Sequence, residues 1–210
     1  IFYICPKSIS KKKMFWVDQI ETCIDKCKKS KIKINSLSLK NIYLNNIKKK
    51  ISLIKKIKKI CKNLNIKKKD DMIKILKKVT SVEPDIKSSK NYELADWKII
   101  KRISKNNLFT LGGHSLEHDI LTKMNMKELD NNITKTIAII KNKTGVNIEH
   151  FSYPEGKFNN NVIKYLKKNN IKSAPIATGL KNTHNTDLYK IKRVMVGFEK
   201  IKFPFSSFKD

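Results

Sequence analysis

Residues 1–5, Ile-Phe-Tyr-Ile-Cys, form a continuous apolar run closed by Pro6, the pattern of a buried strand in a parallel sheet. Met14-Phe15-Trp16-Val17 then opens an aromatic-rich helix predicted to reach about Lys28. From 28 to 90 the pattern changes, and Lys and Ile dominate with few aromatics. Leu44, Ile47, Ile51, Ile54 and Ile57 recur at helical spacing, and Met72, Ile75, Leu76 and Val79 repeat it. This predicts two or three amphipathic helices with a solvated Lys face and an apolar stripe that packs on the rest of the domain. A basic helix lying on a membrane surface is the other reading. Ser88-Ser89-Lys90-Asn91 reads as a loop back to the main body.

Beyond residue 92 the elements are sharper. A helix is predicted over 96–104, with Trp97, Ile100 and Ile103 on one side. Leu108-Phe109-Thr110-Leu111 reads as a short strand ended by Gly112-Gly113. Asn125 and Glu128 have capping-box spacing, and the helix they open carries Leu129, Ile133, Ile137 and Ile140 and ends before Gly145. A strand over 148–153 stops at Pro154 and Gly156, and a helix over 159–169 buries Val162, Ile163 and Leu166. Further strands are predicted over 172–177 and 189–196. Alternating strands and helices imply an α/β fold with a parallel sheet or barrel. The whole chain, 1–210, is expected to be one domain, with 28–90 as a helical insertion packed outside the barrel and taking no part in the chemistry.

Composition changes this picture in three ways. The formal net charge is +29, from 47 Lys and Arg against 18 Asp and Glu, which excludes an acidic solvating protein and favours polyanions near the surface. Only Arg102 and Arg193 are arginines, whereas phosphate and guanine are read best by the bidentate guanidinium fork. Lys, Ile and Asn share A/T-rich codons, so codon bias explains the charge better than a specific nucleic-acid partner. Cys5, Cys23, Cys27 and Cys61 are read as reduced and structural, because no two further ligands lie near the Cys23/Cys27 pair. No apolar run of membrane-spanning length is present, and no basic region precedes the apolar opening as in a secretory signal; the compartment stays open, with the cytoplasm favoured. The chain starts with Ile, which reads as a fragment lacking its true N-terminus.

The chemistry concentrates in two segments. In Leu111-Gly-Gly-His-Ser-Leu-Glu-His-Asp119, His114 and His118 stand four apart directly after a strand. If the chain turns helical there, both imidazoles face one side, a start for a divalent metal site; otherwise they are surface or capping histidines. The zinc-protease pattern does not apply, because Ser115 rather than Glu follows the first His. In Phe151-Ser-Tyr-Pro-Glu-Gly156, a strand end could present backbone N–H groups to a developing oxyanion, or simply turn.

Taken together, these segments resemble the polysaccharide deacetylases, the carbohydrate esterase family with the NodB-homology domain. His114-Ser115-x-x-His118 looks like the metal-binding motif, and Phe151-Ser-Tyr-Pro-Glu-Gly156 is similar to the third motif. Ile1–Ile4 with Phe15-Trp16-Val-Asp18 looks like the strand and helix that follow the first motif, and Tyr189-Lys-Ile-Lys-Arg-Val194 resembles a late Leu-Pro-Arg-Ile strand. The likeness covers roughly 1–20 and 92–197, in the right order. It implies a distorted (β/α) barrel, here lacking its first strand, and a divalent metal, usually zinc, held by His114, His118 and an Asp. It further implies an N-acetylated glycan as substrate, an oxyanion held by the Glu155 backbone N–H, and contacts to substrate from Tyr153, Pro154 and Gly156. The family's Asp pair, base and ligand, would lie just before Ile1. Ser152 stands where many members carry an arginine, Asp119 where many carry Pro, and His184 matches no general acid. The alternative is a non-catalytic, basic glycan- or nucleic-acid-binding protein on the same scaffold.

Overall fold

The structure, a computed structural model, describes residues 1–37, 39–88, 92–177 and 181–193. In chain order these run β1 (Phe2–Ile4), α1 (Pro6–Lys11), α2 (Trp16–Asp25), β2 (Lys31–Ile34), β3 (Leu39–Tyr43), α3 (Ile47–Cys61) and α4 (Ile66–Thr80). There follow α5 (Trp97–Ile103), β4 (Leu111–Gly113), α6 (Met126–Thr144) and α7 (Asn160–Lys168), with one 3-10 turn between β4 and α6 and one between α6 and α7. Pro6 does end the first strand, but it also starts α1. At the first helical position its fixed φ is already helical and its missing N–H has no acceptor to lose.

β1 and β4 pair in parallel, with Tyr3 opposite Gly112 and Ile4 opposite Gly113. The strand expected over 108–111 lies further on: Leu108 is 85% exposed, and the two glycines form the strand instead of ending it. Their neighbours explain this. A Cβ on Gly112 would stand 2.7 Å from the Tyr3 ring, and one on Gly113 2.6 Å from the Phe151 ring. The strands predicted over 148–153 and 172–177 reduce to single parallel bridges, Gly113 to Phe151 and His150 to Ser173. A third bridge joins Pro175 to Ile191. Residues 188–190 are a 3-10 turn, and the rest of the last predicted strand, 194–196, lies outside the described residues, as do 89–91 of the predicted loop. The α/β class holds. Among the described residues the parallel segments form an open arc, not a closed barrel.

Behind this arc lies one apolar core, with Phe151, Leu121, Ile133, Ile140 and Leu166 fully buried. The helices around it follow the sequence closely. Asn125 and Glu128 form the capping box of α6, Gly145 closes it at φ 83°, and Asn159 caps α7.

The 28–90 segment differs from its expectation. It begins with an antiparallel hairpin of β2 and β3, register Lys31 to Tyr43, before its two helices. Lys31-Ile-Lys-Ile34 alternates with the period of a strand, but its Lys and Ile are the residues of the helices beside it. Asn46 and Asn65 cap α3 and α4. In α3 the buried stripe is Leu53, Ile57 and Cys61, whereas Ile47 and Ile51 face out. These helices share a second core with α2, built on Ile20, Cys23, Ile24, Ile34, Ile57 and Leu76.

All four cysteines are free and buried. Burial pushes the Cys5 thiol up to about 12 and those of Cys23 and Cys61 up to about 11. Only the thiolate is nucleophilic, so at pH 8 on the order of one in a thousand of these groups, or fewer, is reactive. Iodoacetamide at pH 8 is therefore expected to label Cys5, Cys23 and Cys61 more than 100-fold faster in urea than in the native chain. Comparable rates in both would show that these thiols are open to solvent.

Candidate metal-binding and active site

The arc delivers His114 at the end of β4. Its backbone N–H donates to the Ile4 carbonyl at 3.0 Å, so β1 and β4 hold it together. Its Nδ1 lies 2.7 Å from the Ser152 carbonyl oxygen, which can only accept. The ring proton therefore sits on Nδ1, and Nε2 is left with a free lone pair.

His118 arrives by a turn and not by the helical segment that the spacing suggested. Ser115 and His118 both have left-handed backbone, φ 60° and 62°, a conformation that costs a non-glycine residue about 1–2 kcal/mol. The surroundings hold it. The Asp119 N–H donates to the buried Ser115 Oγ at 2.8 Å, and the Leu116 N–H donates to Asn132 Oδ1 of α6 at 3.1 Å. Trp16 Nε1 of α2 donates to the His118 carbonyl at 3.2 Å, and Cys5 Sγ donates to the His114 carbonyl at 3.0 Å.

The result brings the two imidazoles together, ring centroids 4.9 Å apart and planes at 70°. Burial, with His118 and Arg193 nearby, holds His114 down at about 4, against the upward pull of its bond to Ser152. Burial also lowers His118, against the attraction of Glu155 and Asp119. Both rings are neutral at pH 7, the form that ligates metals. His118 Nδ1 is buried with no hydrogen-bond partner. A fixed tautomer on one ring and an orphaned nitrogen on the other fit a cation between them. The pair would supply two ligands. Among the described residues no group of three His, Cys, Asp or Glu is placed to hold a metal.

The second segment forms the facing turn. Pro154–Gly156 is one 3-10 turn with Glu155 at φ 56°. The Glu155 N–H lies at its start, where helical N–H groups have no intrahelical acceptor. Gly156, at φ 63°, is obligatory: a Cβ there would meet that of Ala177 at 2.6 Å. Tyr153 differs from its expectation as a substrate contact. It is 1% exposed, stacks on Phe158 and donates its hydroxyl to the Tyr189 carbonyl at 2.9 Å, so it supports the turn from beneath. Pro154 is buried as well. His184 lies in an exposed turn.

Three residues that the sequence reading passed over reach this site. Arg193 donates from Nη2 to Ser152 Oγ at 3.2 Å and from Nε to the Ile176 carbonyl at 3.0 Å, and its guanidinium lies 5.9 Å from the Tyr3 ring centroid. Its rarity among lysines was the available signal. From the insertion, Lys62 pairs with Glu155 at 2.5 Å and Lys69 with Asp119 at 2.6 Å. The segment 28–90, expected to take no part in the chemistry, thus places two lysines against residues that flank the histidine pair. In the run Lys67-Lys68-Lys69, Lys69 stands on the apolar stripe of α4, three before Met72, four before Ile73 and seven before Leu76, so helical spacing turns it inward.

The described residues thus define an α/β domain with a paired-histidine site at the end of a parallel strand. Residues 83–174, just under half of the chain, match the family model for polysaccharide deacetylases, so the resemblance holds for the segment that carries both motifs. Among solved structures, the chain is similar to the deacetylase domain of BpsB from Bordetella bronchiseptica at 15% identity, over 48% of each chain with a TM-score of 0.45. It is similar to the deacetylase PplD from Streptococcus pyogenes at 14%, over 49% of this chain and 45% of that one with a TM-score of 0.46. IcaB from Ammonifex degensii matches at 19%, over 51% and 50%, with a TM-score of 0.46. The chain spans about half the length of these proteins. No curated protein matches it in sequence. Among the described residues no helix is long and apolar enough to cross a membrane.

Proposed function

We propose that this domain removes N-acetyl groups from the sugars of a polysaccharide or other glycan, with His114 and His118 holding a divalent metal, zinc in the first instance. The observation that supports this most is the pair of neutral imidazoles 4.9 Å apart, one with its tautomer fixed by Ser152. A divalent cation there would polarise an acetamide carbonyl and make water acidic enough to act as a nucleophile near neutral pH. His114 directs Nε2 into the site because its other nitrogen is committed to Ser152. His118 is kept neutral by burial, and with Nδ1 free of any hydrogen bond one of its ring nitrogens has a lone pair for the cation. The Glu155 N–H, at the free end of its turn, is the donor for the oxyanion that forms when the carbonyl is attacked. In this reading an Asp pair ahead of β1 would supply the carboxylate that takes the proton from water and the third ligand.

The test is acetate release from acetylated chito-oligosaccharides by the full-length protein, stripped with chelator and reloaded with zinc. Activity is expected to need the metal and to fall at least 100-fold in His114→Ala and in His118→Ala. Acetate release that survives chelation and both substitutions would overturn the reading. The +29 charge favours one rival, a non-catalytic basic scaffold. That rival predicts glycan retention without acetate release.

A further inference from the structure

We propose that the α3–α4 insertion sets the metal affinity of the histidine pair, and that Lys69 is the positioning residue through which it acts. The inference rests on the two-histidine reading above and adds to it a part of the chain that carries no ligand.

Lys69 projects from α4 and ends against Asp119, the residue that follows His118; both side chains are 8% exposed. Its ammonium also lies 5.7 Å from the Trp16 ring centroid. Trp16 in turn holds the His118 carbonyl. One lysine therefore holds the His118 turn along two routes, through the carboxylate on one side and through the indole on the other. That turn needs holding, because Ser115 and His118 both sit in left-handed backbone. The base of Lys69 is fixed independently, since Met72, Ile73 and Leu76 of the same helix lie in the insertion's own core with Ile20 and Ile24 of α2. A second contact, Lys62 with Glu155, ties the end of α3 to the facing turn, but its side chains are 38% and 19% exposed and it contributes less. Groups that orient a metal ligand without touching the metal typically change affinity 10–100-fold. Coupling is reciprocal, so a cation that gains affinity from the insertion must stabilise the insertion in return.

The test is zinc affinity of the full-length protein, by competition with a chromophoric chelator, together with the visible spectrum of the cobalt form. Lys69→Met alone would leave Asp119 buried and unpaired and could prevent folding. Lys69→Met/Asp119→Leu replaces the pair by apolar groups of similar size, an exchange that is often neutral for stability. The double variant is expected to melt near the parent temperature, to bind zinc at least 10-fold more weakly and to show an altered cobalt spectrum. Lys69→Arg, which keeps the charge, is expected to lie between. A measurement without any substitution is hydrogen exchange: added zinc is expected to slow exchange in residues 66–80 as well as around 113–119. Parent-like zinc affinity in a folded double variant, or zinc protection that stops short of residues 66–80, would overturn the positioning role while leaving the histidine pair intact. No zinc binding by the unsubstituted protein would overturn both.

Discussion

Gly113→Ala is expected to destabilise the chain by about 3 kcal/mol, the upper end for overpacking a core. A methyl group there would stand 2.6 and 2.8 Å from two carbons of the Phe151 ring and 3.0 Å from Ile148 Cδ1. Phe151 is fully buried and has no room to swing away. The backbone cannot yield easily either. The Gly113 N–H donates to the His150 carbonyl at 2.9 Å, and the Ser152 N–H donates to the Gly113 carbonyl at 2.8 Å. Any movement that relieves the clash also draws the Ser152 carbonyl away from His114 Nδ1, so metal affinity is expected to fall with stability. Urea unfolding measures the first and zinc titration the second. Gly145→Ala is the control: nothing lies within 4 Å of its Cβ, so only the strain of φ 83° remains, about 1 kcal/mol. Phe151→Leu in the Gly113→Ala background should recover part of the loss. Equal stability of Gly113→Ala and parent would show that β4 and Phe151 are not packed as described.

The second large effect is acid. In chelator, the protein is expected to lose stability as pH falls from about 6.5 to about 4, by at most about 3 kcal/mol from His114 alone. His114 in the unfolded chain takes a proton near 6.5, whereas in the folded chain it is held down to about 4 by burial, then by His118 and Arg193, against its bond to Ser152. Between those values the unfolded state binds the extra proton, so its stability contribution is complete above the window and gone below it. His118 acts with the same sign: burial lowers it, helped by Lys69 and Lys62 and opposed by Glu155 and Asp119. Unfolding free energies at pH 7, 5.5 and 4.5 measure the slope. His114→Asn, whose amide can still donate to Ser152, should flatten it over that range. A parent that is equally stable at pH 7 and 4.5 would place His114 in water.

Zinc, if bound by neutral imidazoles, deepens the same dependence, because protons and metal compete for the same nitrogens. The acid slope should therefore be steeper in excess zinc than in chelator, which gives the stability measurement a second use as a binding assay.

How far the chain could be read without coordinates depended on the range of the forces involved. The capping of α6 by Asn125 and Glu128, its end at Gly145, and the Val162/Leu166 face of α7 were legible because each is settled within one or two helical turns. The Tyr-Pro-Glu-Gly turn was legible for the same reason, and spacing singled out His114 and His118, but what brings their rings together is a left-handed turn held by Trp16 and Asn132 from remote helices. The position of β4 was not, because the glycines that look like a strand end are demanded by Tyr3 and Phe151, distant in sequence. The β2–β3 hairpin was hidden in a Lys/Ile alphabet that serves strand and helix alike. Tyr153 drew attention by its motif, yet only the packing of Phe158 and Tyr189 turns it inward. By itself, then, the sequence determined an α/β chain with local caps, turns and two histidines at ligand spacing. The tertiary structure alone decided that a lysine of the insertion reaches Asp119, that Arg193 reaches Ser152 and that the imidazoles are neutral. Each of these is set by burial and by charges that meet only when remote segments pack: helical spacing puts Lys69 on the inward stripe of α4, but only packing brings Asp119 to it.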